Sequence, residues 1–419
     1  MNDVENEPQD PFVKELDEVF DLHERGNYEP AEALYRKLIA AYPGIWQICF
    51  NFGLLLFELG RFDEAAAVYR HGIDLDGQNP DLWYNLALCR KQLGDINGAI
   101  DAYQQVLSAQ PTAIDSLYNL AGCYRTIADD DVAICWYERA IQADPGHLPS
   151  LNNLAYLHHK HGRTGTAAKL YRTILSLAPD HERADHMLAS IEEKSRQHVP
   201  DGYVRDVFDQ FSDHYESDLV EKLEYSLPAQ MLQFMQRISD RPSFGRLLDL
   251  GCGTGLAGEV LKPHCDNLIG VDLSANMIAV ARPKSLYSEL HIGGIIGFLQ
   301  QCEPAAYDCA VAADVLPYVG DLKKLFEHLA AVIDERGYVF FSVERLADEE
   351  LPFKLQSSGR FAHSSAYVRS VAAAAGWYVR AYESLRLRRE KDDWISGMIY
   401  ALARAVHPLQ PEAVSDPAT

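Results

Sequence analysis

The chain has 419 residues, with 38 basic and 61 acidic side chains and a formal net charge of −23. Residues 1–200 carry 17 of the basic and 30 of the acidic groups, so both halves repel polyanions, which argues against nucleic acid as a partner. No apolar stretch approaches the ~20 residues that span a bilayer, and none of the eight cysteines forms a Cys-x-x-Cys pair, so zinc and redox spacings are absent.

The polar start MNDVENEPQDPF lacks the basic and then apolar pattern of a secretion signal. A cytoplasmic protein with reduced cysteines is expected, without metal or membrane contact. Residues 1–11 are expected to lack fixed structure. From 12 to 181 the sequence repeats every 34 residues. Glycine recurs at Gly26, Gly60, Gly94 and Gly162, with Ala128 in the remaining slot. Alanine recurs at Ala31, Ala65, Ala99, Ala133 and Ala167, and tyrosine at Tyr35, Tyr69, Tyr103, Tyr137 and Tyr171. Pro43, Pro111, Pro145 and Pro179 close the units, with Gly77 in the missing place. A small alanine permits close helix approach, and the tyrosine four residues on fills the same face. The glycine allows a turn and the proline stops the second helix.

This period and residue set resemble the tetratricopeptide repeat (TPR). The resemblance implies five helical hairpins stacked as an α-solenoid with a concave groove. Residues 182–197, ERADHMLASIEEKSRQ, then read as a capping helix, with a linker to 200. A further column holds Asn51, Asn85, Asn119 and Asn153. An asparagine amide can donate to and accept from a peptide backbone at once. A similar ladder lines the groove of O-linked N-acetylglucosamine transferases, where it grips extended polypeptide. The same residues can equally bond to a neighbouring helix, and Tyr84, Tyr118 and Tyr156 can line the groove or pack.

From 244 to 405 the pattern changes to alternating strands and helices, which implies a parallel sheet covered on both faces. RLLDL (246–250), NLIGVDL (267–273), YDCAVAADV (307–315) and GYVFFSVE (337–344) read as buried strands. The first runs into LDLGCGTG, whose glycines are Gly251, Gly253 and Gly255. A dinucleotide fold wants Gly-x-Gly-x-x-Gly, and a phosphate loop wants Gly-Lys-Ser/Thr. Neither is present. Asp249 before the loop disfavours a polyphosphate and favours an ammonium group. Asp272 ends the next strand, where a carboxylate accepts from ribose hydroxyls. A ligand with an amino-acid end, a ribose and no phosphate is S-adenosylmethionine.

LDLGCGTG followed by VDLSANM resembles the class I S-adenosylmethionine-dependent methyltransferases, over about residues 203–404. The resemblance implies a Rossmann-like, seven-stranded, mostly parallel sheet, and S-adenosylhomocysteine as the product. It places Gly251, Gly253 and Gly255 at the methionine end and Asp249 within reach of the ammonium through water. It places Asp272 and Leu273 at the ribose, Met277 on the adenine and Ile295 by the ring. Family members commonly carry an acid after the third strand that bonds the adenine amino group. Here HIGGII puts Gly294 there, and losing one charge-assisted bond costs ~1.5–3 kcal/mol unless another group substitutes. Residues 201–243 resemble the amphipathic segment before the strand core, with Phe208, Phe211 and above all Tyr215 roofing the cofactor.

ADVLPYV (313–319) is expected to face the methyl group, making Asp314 and Tyr318 candidate catalytic groups. The insertion 345–377 is expected as a polar segment outside the carboxyl end of the preceding strand. Its SGRFAHSSAY offers His363 as a general base. Arg360 is expected either to clamp a carboxylate or to pair with an acid such as Asp314, and Tyr367 to touch substrate. YVRAYESLRLRREK and WISGMIYALAR read as a closing antiparallel pair, with RLRRE solvating an edge. The tail 406–419 is expected to lack fixed structure. The favoured reading is a methyltransferase whose TPR groove recruits a protein or peptide acceptor. The alternatives are a small or carrier-bound acceptor, with the repeats serving partner docking or homo-oligomerisation, and a non-enzymatic scaffold.

Overall fold

The structure, a computed structural model, describes residues 11–194, 196–211, 224–390 and 393–404. Its contacts divide the chain after Pro179 into two compact units. Among the described residues no helix is long and apolar enough to cross a membrane.

The first unit is a run of helical hairpins. Pro11–Glu24 pairs with Tyr28–Ala41, Trp46–Glu58 with Phe62–Leu75, and Pro80–Gln92 with Ile96–Ala109. Ile114–Thr126 then pairs with Asp130–Ala143, and Leu148–Lys160 with Thr164–Leu177. The repeated alanines are all 0% exposed, and the repeated tyrosines are at most 1% exposed. Tyr35 stacks on Phe52 of the next hairpin with ring centroids 5.6 Å apart, whereas Tyr103 and Tyr137 meet Tyr84 and Tyr118 of their own hairpins, each at 5.8 Å. The turn inside each hairpin passes through the left-handed region. Gly26, Gly60, Gly94 and Gly162 have φ between 72° and 77°, and Ala128 is held at 60°. A Cβ on those glycines would meet nothing within 4 Å, so the dihedral rather than crowding selects glycine.

The second unit is built on one mixed sheet. Its strands are β1 (Phe244–Leu250), β2 (Cys265–Asp272), β3 (Glu289–Ile292), β4 (Tyr307–Ala312) and β5 (Ile333–Arg345). They continue as β6 (Phe353–Leu355), β7 (Phe361–His363), β8 (Trp377–Glu390) and β9 (Asp393–Arg404). The order β3-β2-β1-β4-β5 is parallel throughout. β9 runs antiparallel along β5, and β8 pairs with β9. One face packs against helices Ile295–Leu299, Lys323–Val332 and Ser365–Ala374, the other against Leu227–Ile238 and Leu256–Leu261. The chain leaves β1 toward β2 and β3, then returns to β4 on the other side. A crevice opens where the strand order reverses, at the carboxyl ends of β1 and β4.

Two expectations change. Seven strands become nine, because the insertion 345–377 folds as the hairpin β6–β7 and β7 pairs parallel with the end of β5 at Glu344–Ala362. Phe361, Ala362 and His363 are 0%, 3% and 1% exposed, so the segment is core rather than a polar loop. The helix expected as a cap, Glu182–Ile191, groups with the second unit. Its buried His186 bonds the Gly359 carbonyl through Nε2 at 2.8 Å, and its ring lies 4.7 Å from that of Tyr203.

Candidate active site

β1 ends at Leu250, and the chain turns sharply through the glycine loop. The amides of Gly251 and Cys252 both donate to the Val271 carbonyl, at 2.8 and 3.1 Å. Gly251 has φ 68°, and a Cβ there would lie 2.5 Å from Val315 Cγ2, so the position admits no side chain. The Gly253 amide donates to Asp272 Oδ2 at 2.9 Å, and the Ser274 amide donates to Oδ1 at 2.8 Å. Asp272 thus ties the loop to the end of β2. Burial lifts its carboxyl above the usual range, while those backbone N–H groups hold part of the rise back.

Asp249 sits behind the loop, 1% exposed, and accepts from the Tyr287 hydroxyl at 2.7 Å. Burial raises it to about 7, against the lowering effect of that hydrogen bond. Tyr287 fits because of two glycines. A Cβ on Gly258 would lie 2.4 Å from its hydroxyl oxygen, and one on Gly270 would lie 2.9 Å from its ring. Sequence reasoning missed this tyrosine. The available signal was a glycine inside a helix and another inside a strand, both costly unless something approaches closely.

In front of the loop lies a cavity of about 770 Å³, within the range of small-molecule sites. Gly251, Gly253, Asp272, Leu273, Gly294 and Ile295 line it, together with Ala313, Asp314, Val315 and Tyr318. Helix Asp201–Phe211 covers it with Val204 and Phe208, and the Phe208 ring meets that of Tyr318 edge-on at 5.2 Å. The Ser274 hydroxyl donates to Asp209 at 2.5 Å and fastens this helix over the site. Tyr215 lies outside the described residues, as does the side chain of Phe211.

The expected acceptor residues divide sharply. Tyr318 lines the cavity, and burial pushes its hydroxyl pKa up, so it is a neutral donor rather than a base. Asp314 also lines it, at φ 60°, but each of its carboxylate oxygens takes Arg388 Nη1 at 2.5 Å. Arg388 Nη2 reaches Glu344 at 2.6 Å, and Arg360 Nε reaches the same oxygen at 2.7 Å before pairing with Glu390. Arg360 is therefore no substrate clamp, and the acids it meets are Glu344 and Glu390 rather than Asp314. Arg388, 6% exposed, is the buried partner of Asp314 rather than an edge-solvating charge.

His363 does not reach the cavity. It is 1% exposed, its Nε2 bonds the Gly320 carbonyl at 2.8 Å, and burial lowers its pKa to about 4, which removes it as a base. Tyr367, half-buried, is committed within the fold: its hydroxyl donates to Asp321 at 2.8 Å and accepts from the Leu322 amide at 2.9 Å. Met277 is 1% exposed on helix Ala275–Ala281 and is not among the lining side chains. Gly255 lies behind the cavity wall at φ 96° and starts helix Leu256–Leu261. The imidazole that does line the cavity is that of His198.

In the first unit the asparagine column binds its own scaffold. Asn51, Asn85 and Asn119 each donate an amide hydrogen to the carbonyl four residues back, at 2.9, 2.8 and 2.9 Å. Asn119 also meets the Tyr84 hydroxyl at 3.3 Å. Asn153 is buried and donates to the hydroxyls of Tyr118 and Tyr137 at 3.3 and 3.1 Å. That last rung is a packing device.

A family model described as a methyltransferase domain matches residues 223–383. Models of the tetratricopeptide repeat match 53–94, 80–113, 114–147 and 136–169. A ubiquinone biosynthesis O-methyltransferase of Paraburkholderia phymatum is 33% identical over 100 residues, covering 23% of this chain and 43% of that one. Its counterpart from Idiomarina loihiensis is 31% identical over 114 residues, 26% and 47% of the two chains. The chain thus spans less than half the length of these curated relatives. The crystal structure of an S-adenosylmethionine-dependent methyltransferase from Methanosarcina mazei aligns with 42% of this chain and 98% of its own. The identity is 13% and the TM-score 0.35.

Proposed function

We propose that this chain, which joins tetratricopeptide repeats to a methyltransferase domain, binds S-adenosylmethionine in the cavity of its second unit and transfers the methyl group. The observation that carries this reading is Asp272, held by two backbone amides at the end of β2 and turned to a cavity floored by bare glycine backbone. Asp272 lines the cavity with a carboxylate, so a polyphosphate would meet like charge, whereas a ribose diol meets an acceptor. Asp249, expected near the ammonium, is instead buried behind the loop on Tyr287 and does not line the cavity. Leu273 and Ile295 supply apolar surface for a base. Bound there, the cofactor supplies a methyl group on a positively charged sulfur, open to in-line displacement by a nucleophile. The protein aligns the two and excludes water. Phe208 over Tyr318 does the second. With Asp314 committed to Arg388 and His363 buried elsewhere, the candidates to take a proton from an acceptor are the other lining groups, His198, Asp321 and Glu327 among them.

A polypeptide is the acceptor that the repeats favour, since five hairpins exceed what docking a small metabolite needs. The second reading, a small-molecule acceptor with the repeats docking a partner or a second copy, is favoured by the ubiquinone-pathway relatives. Titration calorimetry with S-adenosylhomocysteine tests the cofactor. The native chain should bind, and Asp272→Ala should weaken binding by about tenfold or more. A folded native chain that gives no binding heat overturns the proposal. Transfer of a radiolabelled methyl group to a cell extract, separated into protein and small-molecule fractions, then decides between the acceptors.

A further inference from the structure

We propose that Asp201, the first residue of the covering helix, selects the amino form of the purine in the cofactor; this rests on the cofactor reading above. Asp201 and Gly294 both line the cavity. A Cβ on Gly294 would lie 3.5 Å from Asp201 Oδ2, so the carboxylate occupies the space beside that glycine. β3 runs beside β2 with Ile292 opposite Asp272, and the Gly293 amide donates to the Asp272 carbonyl at 2.8 Å. With the ribose on Asp272, the base must extend along Leu273 and over Gly293, Gly294 and Ile295. Asp201 closes that path.

An ionised carboxylate accepts hydrogen bonds only. It matches an exocyclic amino group and repels an oxo group in its place. Among the described residues no side chain pairs with Asp201, so its oxygens are available. Its helix is held in place by the Ser274–Asp209 bond at 2.5 Å and the Phe208–Tyr318 contact. Sequence spacing alone hides this residue, because it lies 93 positions before Gly294.

The test is binding of S-adenosylhomocysteine and of S-inosylhomocysteine, in which oxygen replaces the amino group, to the full chain. The native protein should prefer the adenosyl ligand by about tenfold or more. Asp201→Ala should lose that preference by weakening the adenosyl ligand alone, with unchanged melting temperature. Gly294 has φ −70° and ψ 141°, which any residue adopts. Adding Gly294→Asp to Asp201→Ala should therefore restore the preference. In the native background Gly294→Asp brings two carboxylates together and should weaken binding. A preference that survives Asp201→Ala, or a native protein that binds both ligands equally, overturns the inference while leaving the cofactor reading intact. Binding of neither ligand overturns both.

Discussion

Arg388 reaches two carboxylates, Asp314 and Glu344, from a side chain 8% exposed. Removing one partner of a buried pair leaves an uncompensated charge, so Arg388→Met should lower stability by ~3–5 kcal/mol in urea denaturation; a loss under ~1 kcal/mol would refute the buried network. His363 makes a prediction with a definite sign. Its pKa falls from 6.5 to about 4 on folding, so the folded state disfavours the proton. Its contribution is complete above 6.5 and is lost as the pH falls toward 4. Asp249 acts oppositely, because its pKa rises from 3.8 to about 7 and stability falls as the pH climbs through that window. His363→Gln, compared with the native chain at each pH, should flatten the acid loss. It should leave the pH profile of methyl transfer unmoved; a displaced profile would return His363 to the chemistry. These roles were not legible in sequence. A histidine near neutrality reads as a base until burial is known, and an arginine in RLRRE reads as solvated until its strand is placed.

At the scale of elements, the hairpin turns were legible because each depends on one residue's backbone dihedral. Ala128 marks the exception, an alanine at φ 60° where the other units have glycine. A left-handed alanine costs ~1–2 kcal/mol, and glycine returns part of that as unfolded-state entropy. Ala128→Gly should therefore stabilise the repeat unit by about 0.5–1 kcal/mol, read as a raised melting temperature; destabilisation would show that the turn is not strained. The glycine loop was legible for the same reason, since Gly251 and Gly253 carry positive φ. The hairpin β6–β7 was not. Its strands are three residues each, too short for a periodic signal, and β7 exists because the end of β5 offers an unpaired edge. The helix at 182–191 looked like a cap because its apolar face is amphipathic in the same manner as a repeat helix. Which surface buries that face is a tertiary fact.

For the whole molecule, the residues proposed to hold the cofactor all belong to the second unit. Ligand at one hundred times its dissociation constant adds ~2.7 kcal/mol to the state that binds it. S-adenosylhomocysteine should raise the melting transition of that unit, and Asp272→Ala should remove the shift. A ligand that moves only the transition sensitive to Ala128→Gly would place the site in the repeats instead. The sequence by itself determined the repeat register, the alternation of strands and helices, and the glycine loop with Asp272 after the next strand. Each is a spacing along the chain, and backbone dihedrals, helical period and strand alternation act over a few residues. Only the tertiary structure decided that Asp314 meets Arg388 across 74 positions, that Asp249 meets Tyr287 across 38, and that a carboxylate stands beside Gly294. Those pairings follow from which strands the sheet order sets side by side and which helix covers their ends. A charged side chain is compatible with many partners until packing removes the water from all but one.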